Sequence, residues 1–112
     1  MTRNQEIAAI IHQQLGGGRF TVMTGAKNFL AIESGLRFTI PRNMSKANRC
    51  EIVLNGKDLY DVRFIYSRMG RIDLRTGKTI PDKWEIVKSY DDVFCDMLQE
   101  IFTSVTGMYT HF

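Results

Sequence analysis

The sequence contains no long apolar run and few cysteines. No stretch approaches the roughly 18 consecutive apolar residues that a membrane-spanning helix requires, and residues 1–6 lack the basic and then apolar pattern of a signal peptide. The two cysteines, Cys50 and Cys95, stand far apart without the spacings of a disulfide framework. We therefore expect a cytoplasmic protein without a membrane partner, and two reduced thiols that are buried or half-buried.

Sequence signatures of catalysis, metal binding and cofactor binding are also missing. The two histidines, His12 and His111, lie near opposite ends of the chain, without Cys, Asp or Glu at the spacings of helical metal sites. No Gly-x-Ser-x-Gly motif is present. Residues 75–79 end like a phosphate-binding loop, but Ile72 replaces the first glycine of that motif and Pro81 opposes the helix that should follow. We expect a solvated hairpin tip there, and a non-enzymatic protein with no catalytic residue, metal or cofactor.

One pair of carboxylates, Asp96 and Glu100, has a spacing that places both groups on the same face of a helix. Such a pair can bind a cation or act as acid and base. Beside Asp91 and Asp92, however, it is typical of the solvated face of an amphipathic helix, which is the interpretation we adopt.

The composition indicates one folded domain. Hydrophobic residues make up 44% and aromatic residues 11% of the 112-residue chain. This content is sufficient for a packed core and argues against disorder, which requires few aromatics and a high net charge. Because single domains commonly have about 100 to 150 residues, we predict a single domain over residues 1–112.

Periodic apolar patterns predict a helix at each end of the chain. Apolar residues recur at helical spacing from Ile7 to Leu15 and three glycines follow, so the first helix is predicted over residues 3–15. The second is predicted over residues 90–106, with a capping box formed by Ser89 and Asp92, and Gly107 at its end. Its apolar stripe, expected to be buried against the sheet, comprises Val93, Phe94, Met97, Leu98, Ile101, Phe102 and Val105.

Alternation of apolar and polar residues predicts antiparallel strands between the helices. The clearest strand contains Leu36, Phe38 and Ile40 and ends at Pro41, and an Asn55-Gly56 turn predicts a hairpin. Residues 67–83 suit a long hairpin excursion or a loop. The other predicted strands are residues 19–24, 29–33, 50–54, 59–66 and 84–87. The predicted fold class is α+β, an antiparallel sheet of four to five strands connected as a meander, with the N-terminal and C-terminal helices packed on one face.

The formal charge of +3 is unevenly distributed along the chain. Residues 1–57 contain eight lysines and arginines against three acidic residues, whereas residues 89–112 contain no lysine or arginine. Cations and amides are the groups that hold the phosphates and sugars of nucleic acids. The candidate residues for binding nucleic acid or phosphate are Arg19, Lys27, Asn28, Arg37, Arg42, Lys46 and Arg49.

Two segments of this cationic region have alternative interpretations. Residues 24–28 either form a tight connection or β-bulge, or direct backbone N–H groups and Lys27 at a phosphate. The basic connection at residues 41–49 is either a solvated loop or a ligand-binding loop. A sheet that binds nucleic acid also uses exposed aromatic rings, on which the bases stack. Most aromatic residues of the predicted strands alternate in phase with the apolar residues, so we expect them in the core. Only Tyr66 and Tyr109 are expected to be exposed rings.

Several short motifs occur together in the chain, namely Leu15-Gly16-Gly17, Arg19-Phe20, Met23-Thr24-Gly25-Ala26-Lys27-Asn28, Pro41-Arg42-Asn43, Lys46-Ala47-Asn48 and a C-terminal run from Asp96 to Thr110. In this combination the chain resembles a family of small uncharacterised proteins encoded by bacteriophages, plasmids and other mobile elements. The resemblance covers nearly the whole chain except residues 67–82. It implies a mobile-element setting, in which small proteins commonly handle nucleic acid or disable a host defence, and it implies no particular activity.

Two functions of different classes follow as hypotheses. The first is nucleic-acid binding of low sequence specificity through the cationic surface, because phosphate contacts alone can supply that affinity. The second is an inhibitor that binds a host defence protein or its nucleotide signal, with an apolar or acidic helical face as the contact. The sequence leaves both partners and the oligomeric state open.

Overall fold

The computed structural model describes residues 2–108. Its elements in chain order are α1 (Arg3–Leu15), α2 (Gly18–Thr24), β1 (Lys27–Ile32), β2 (Gly35–Thr39), β3 (Arg49–Leu54), β4 (Tyr60–Arg68), β5 (Arg71–Ile72), β6 (Thr79–Ile80), β7 (Lys83–Val93) and α3 (Leu98–Thr106). Five strands form one antiparallel sheet in the order β1-β2-β3-β4-β7. Strands β5 and β6 form a separate antiparallel pair.

Helix α1 has the predicted bounds and ends at a glycine, as predicted. A capping box begins the helix, because the Thr2 hydroxyl accepts a hydrogen bond from the Gln5 backbone N–H and the Gln5 side chain accepts one from the Thr2 N–H. Gly16 follows the last turn with a φ of 124°, a conformation that side chains disfavour. The buried face of α1 consists of Ile7, Ala8, Ile11 and Leu15.

Residues 19–24 belong to helix α2, so the predicted strand there was wrong. Phe20 and Thr24 share the buried face of this helix, and the Thr24 hydroxyl donates to the Phe20 carbonyl at 2.8 Å. The Phe20 ring packs edge to face on Phe38 and Phe102, with centroids 5.5 and 5.0 Å away. A six-residue alternation is too short to separate a strand from less than two helical turns, and the packing of Phe20 favours the helix.

The sheet is a meander, and together with the two terminal helices it confirms the predicted fold class. Strands β3 and β4 are joined through the turn that contains Asn55 and Gly56, as predicted. In β2 Leu36 and Phe38 are buried under the helices. Strand β4 pairs directly with β7, and the residues between them along the chain pair with each other as β5 and β6. The excursion at residues 67–83 is therefore a hairpin.

Strand β7 is longer than predicted and continues to Val93. Tyr90 pairs with Val62, and Val93 pairs with Tyr60, so residues predicted as the first helical turn extend the sheet instead. Ser89, the predicted helix cap, therefore lies within β7. The helical pattern of residues 90–106 was misleading at its start because the long partner strand β4 offers hydrogen bonds to the whole segment.

The C-terminal helix α3 consequently begins only at Leu98, after a short 3₁₀ turn (Cys95–Met97). Of the predicted apolar stripe, Phe94 and Met97 are exposed and Ile101 is half-buried. The remaining members of the stripe are buried as predicted, namely Val93, Leu98, Phe102 and Val105.

All three helices lie on one face of the five-stranded sheet. Phe38 of β2 and Phe64 of β4 each place their ring centroid 6.2 Å from that of Phe102 in α3. Helices α1 and α3 are also joined directly, because the Gln99 side-chain amide donates to the Leu15 carbonyl at 2.8 Å. The core therefore lies between the helices and one side of the sheet.

We predict that Phe102→Ala is insoluble or melts far below the parent protein. Phe102 is 1% exposed, and truncation of a buried Phe costs about 3 to 5 kcal/mol out of the roughly 5 to 15 kcal/mol that stabilises a small domain. The control is Glu100→Ala, an exposed residue of the same helix, which should melt close to the parent. Thermal melts that rank the two variants the other way would contradict this orientation of α3.

A second prediction concerns Gly35, which has no room for a side chain. A Cβ there would collide with the Ile52 carbonyl oxygen and lie 3.0 Å from the Val53 Cα, both in β3. We expect Gly35→Ala to lower the free energy of unfolding by about 1 to 3 kcal/mol through overpacking, as measured by denaturant titration. Gly56→Ala is the matched control, since nothing lies within 4 Å of its Cβ position. Equal midpoints for both variants would refute the close approach of β2 and β3.

Candidate functional site

The face of the sheet opposite the helices carries most of the polar side chains of the strands. Directly paired residues of antiparallel neighbours point to the same side, so the register of the sheet defines two rows of residues across the five strands. One row is Lys27, Thr39, Arg49, Ile65 and Ile86, and the next is Leu30, Arg37, Glu51, Arg63 and Ser89. We call these two rows, together with the paired residues Ser67 and Trp84, the open face.

The open face brings together three of the seven candidate residues predicted from the sequence, Lys27, Arg37 and Arg49. Lys27 is exposed at the edge strand β1, whereas the other two are half-buried on β2 and β3. Two of these three cations have a polar side-chain partner. The Arg37 Nη1 lies 3.1 Å from the Glu51 Oε1, and the Arg49 Nε donates to the Ser67 hydroxyl at 2.6 Å.

The other four candidates lie elsewhere. Arg19 is exposed on α2, in the helical layer. Asn28 has a φ of 58° and lies in the irregular part of β1, and Arg42 is exposed in the connection between β2 and β3. Lys46, in the same connection, donates to the Glu85 Oε1 at 2.8 Å, and this hydrogen bond lowers the pKa of the Glu85 carboxyl.

A groove on the open face has a strongly cationic lining. It lies between the ends of β2, β3, β4 and β7 and has a volume of about 440 Å³. Four cations line it, Arg37, Arg49, Arg68 and Lys83, and its one carboxylate, Asp82, already accepts a hydrogen bond from the Gly70 backbone N–H. We call this feature the groove.

Trp84 lines the groove and is the large aromatic residue of the open face. Its side chain is 52% exposed, and the Arg37 guanidinium carbon lies 5.9 Å from its ring centroid. A guanidinium at this distance interacts favourably with the ring, and the ion pair to Glu51 helps to hold it there. The ring is thus supported by Arg37 and retains exposed surface for another flat group.

Sequence reasoning missed Trp84, Arg68 and Lys83 as site residues. The sequence predicts Trp84 as a strand residue without assigning its ring to the core or to the surface, because alternation alone does not say which phase faces the helices. A signal was present in the spacing, since Trp84 and Ile86 alternate with charged residues at the edge of the sheet. Of the rings expected to be exposed, Tyr66 is half-buried and Tyr109 lies outside the described residues.

The segment at residues 24–28 forms a helix end and a β-bulge. The Gly25 N–H donates to the Thr21 carbonyl, and the Ala26 N–H donates to the Thr24 hydroxyl. The register between β1 and β2 then shifts between Lys27 and Leu30. Because these two N–H groups already have partners, the bulge interpretation is favoured over a phosphate-binding loop.

The connection at residues 41–49 is ordered by its own polar side chains. The Asn43 amide donates to the carbonyls of Pro41 and Ala47, and its oxygen accepts from the Ser45 backbone N–H. These hydrogen bonds stabilise the loop, whereas the Arg42 side chain is exposed and the Lys46 side chain reaches from the loop to Glu85. The loop contributes exposed cations beside the sheet rather than a cradle of free N–H groups.

Three further polar residues considered in the sequence, Asp96, Glu100 and His12, lie outside the open face. Asp96 and Glu100 are both exposed, and they lie on different elements, the 3₁₀ turn and α3. The His12 Nε2 lies 3.1 Å from the Thr21 hydroxyl. Within residues 2–108 no group of three or more His, Cys, Asp or Glu side chains is arranged to hold a metal ion.

Both cysteines are free thiols, Cys50 buried and Cys95 exposed. Burial, and then the nearby Glu51 carboxylate, raise the pKa of the Cys50 thiol well above its usual range. Cys50 therefore stays protonated and acts as a small apolar residue of the core.

No helix among the described residues is long and apolar enough to span a membrane. Comparisons of the chain with protein-family models, with curated proteins and with solved structures find no match.

Proposed function

We propose that the protein binds single-stranded nucleic acid on the open face, with low sequence specificity and without catalysis. The observation that carries the proposal is the groove, in which the half-exposed Trp84 ring lies among the cations Arg37, Arg49, Arg68 and Lys83. Proteins that bind single strands without sequence preference combine a cationic groove for the phosphates with aromatic rings on which bases stack. The groove contains both components.

The two components have separate tasks in this proposal. A base stacks on the exposed surface of the Trp84 ring, which Arg37 supports through a guanidinium contact. The neighbouring phosphates are held by Arg49, Arg68 and Lys83, which are long side chains able to follow a flexible backbone. Stacking is tolerant of sequence because every base has a flat face. Low specificity follows from this arrangement.

Duplex DNA fits the groove less well than a single strand. Bases in a duplex are already stacked on their neighbours, so the Trp84 face would gain a base only if that base left the stack, which costs a few kcal/mol. The cations would still attract the duplex phosphates in low salt. Preference for single strands therefore depends on Trp84, whereas general affinity for nucleic acid depends on the cations.

The alternative function, an inhibitor of a host defence protein or of its nucleotide signal, uses another surface. The side chains of Phe94 and Met97 were expected in the core but are exposed at the start of α3. Exposed apolar side chains of this size can contact a protein partner. Under this alternative, substitutions on the open face leave partner binding unchanged, and substitution of Phe94 abolishes it. Either function accords with the mobile-element setting that the resemblance implies and with the cytoplasmic location that the sequence predicts.

The first test uses Trp84, which is the single tryptophan of the chain. We expect an oligothymidylate to change its intrinsic fluorescence, because a stacked base alters the environment of the ring. The three groove cations assigned to phosphates, Arg49, Arg68 and Lys83, predict that the logarithm of the binding constant falls with the logarithm of the salt concentration with a slope of about −2, since each phosphate contact on a single strand contributes about −0.7. An unchanged fluorescence in low salt would remove the proposal.

The second test compares two arginines that contribute the same charge from opposite sides of the molecule. Arg49→Ala should weaken binding of a labelled oligothymidylate, measured by fluorescence anisotropy, and reduce the salt slope by about 0.7. Arg19→Ala removes the same charge from the helical layer and should leave both quantities near those of the parent. Equal losses for the two variants would show that overall charge, and not the groove, determines the affinity.

A further inference from the structure

Residues 69–82 form a hairpin arm that extends from the groove end of the sheet. The β4-β7 ladder ends with the pair Arg68 and Lys83, after which the chain pairs again as β5 and β6. At the base of the arm the Gly70 N–H donates to the Asp82 carboxylate. The tip is closed by hydrogen bonds from the Asp73 N–H to the Lys78 carbonyl and from the Gly77 N–H to the Asp73 carbonyl. We call residues 69–82 the arm.

The apolar residues of the arm are not explained by folding. Met69, Ile72 and Leu74 are 86%, 65% and 94% exposed, so their side chains contribute almost nothing to the core. Two-stranded hairpins without a packed face are only marginally stable in water. Apolar side chains displayed on such a projection are typical of a contact surface.

The charge of the arm and its base is complementary to a polyanion. Five cations lie between residues 68 and 83, Arg68, Arg71, Arg75, Lys78 and Lys83, against the two carboxylates Asp73 and Asp82. Both carboxylates accept backbone N–H groups of the arm itself, those of Arg75 and Gly70. Within residues 2–108, Arg68, Arg71, Arg75 and Lys78 form no ion pair. The carboxylates thus shape the arm, and its cations remain available.

The arm begins where the groove ends. Arg68, Met69, Asp82 and Lys83, which form the base of the arm, also line the groove beside Trp84. Consider a single-stranded nucleic acid with one nucleobase stacked on Trp84. If its sugar-phosphate backbone continues in the direction of β4, the following nucleotides reach the arm. With about 3.3 Å per residue, the five or so residues from the base to the tip give the arm a reach of roughly 15 to 20 Å.

We infer that the arm is a second contact segment for the same nucleic-acid strand and lengthens the binding site beyond the groove. Ile72 and Leu74 pack on bases, whereas Arg71, Arg75 and Lys78 contact phosphates. At a spacing of roughly 3.4 Å for stacked nucleotides and more for an extended strand, the arm adds about three to five nucleotides to the site. The inference rests on the proposed function, because it assumes that a single strand lies in the groove.

The experiment compares a short and a long oligothymidylate, of about six and about 20 nucleotides, in parent and variant proteins. The arm variant carries Arg71→Ala, Leu74→Ala, Arg75→Ala and Lys78→Ala. The control variant removes three cations remote from the groove, through Arg3→Ala, Lys57→Ala and Lys88→Ala, and its exposed Ile10→Ala change matches the loss of Leu74. Circular dichroism and thermal melts establish that both variants fold.

We expect the arm variant to lose at least about tenfold in affinity for the long strand and less than about twofold for the short one. The control variant should show a small loss of affinity that is similar for the short and the long oligothymidylate. Equal losses of the arm and control variants on the long strand, with Trp84 fluorescence still responding, would overturn this inference and leave the proposed function standing. If neither oligonucleotide changes Trp84 fluorescence, the proposed function fails and the inference fails with it. Arm-dependent binding of duplex DNA alone would also overturn the inference.

Discussion

The packing of four phenylalanines determines how the molecule divides into a covered and an open side. Phe20 and Phe102 come from helices, Phe38 and Phe64 come from strands, and all four are fully buried in one cluster. Because these helical rings meet the sheet rings, α2 and α3 are held on the same side of the sheet, and the hydrogen bond from Gln99 to Leu15 joins α1 to α3 on that side. The other side then has only its own side chains to cover it, and these are mostly polar or cationic.

This division gives the open face its chemistry. The open face juxtaposes residues that are distant in sequence, such as Arg37 and Trp84, which belong to β2 and β7. Two of the cations are partly neutralised by ion pairs, since Arg37 contacts Glu51 and Lys46 contacts Glu85. The exposed Lys46–Glu85 pair is worth little and is screened by salt, so it can be exchanged for a phosphate contact, whereas the half-buried Arg37–Glu51 pair holds Arg37 beside Trp84. Within residues 2–108 the cations without an ion pair include Arg49 and Arg68 in the groove and Arg71, Arg75 and Lys78 in the arm.

The sequence was sufficient to predict the fold class, the first helix, the central hairpin and the clearest strand, because each has a periodic pattern or a turn signal of its own. Its predictions were wrong where tertiary contacts determine the secondary structure of a segment. The packing of Phe20 in the core favours a helix at residues 19–24, and hydrogen bonding with β4 extends strand β7 through residues 90–93. Of the site, three cations were predicted on what is the open face, but Trp84 was not. Its exposure depends on which side the helices occupy, and the alternation of Trp84 and Ile86 with charged residues separates the two faces of β7 without saying which one the helices cover.

The central claim is that a single strand lies on the open face, and two-dimensional NMR tests it most directly, since amide signals can be followed residue by residue in a chain of 112 residues. Titration with an oligothymidylate in low salt should shift the amide signals of β2, the groove ends of β3 and β4, and β7, together with the Trp84 indole N–H. Amide signals of α1 and α2 should change little. Shifts confined to the helical layer, or no shifts at all, would contradict the account.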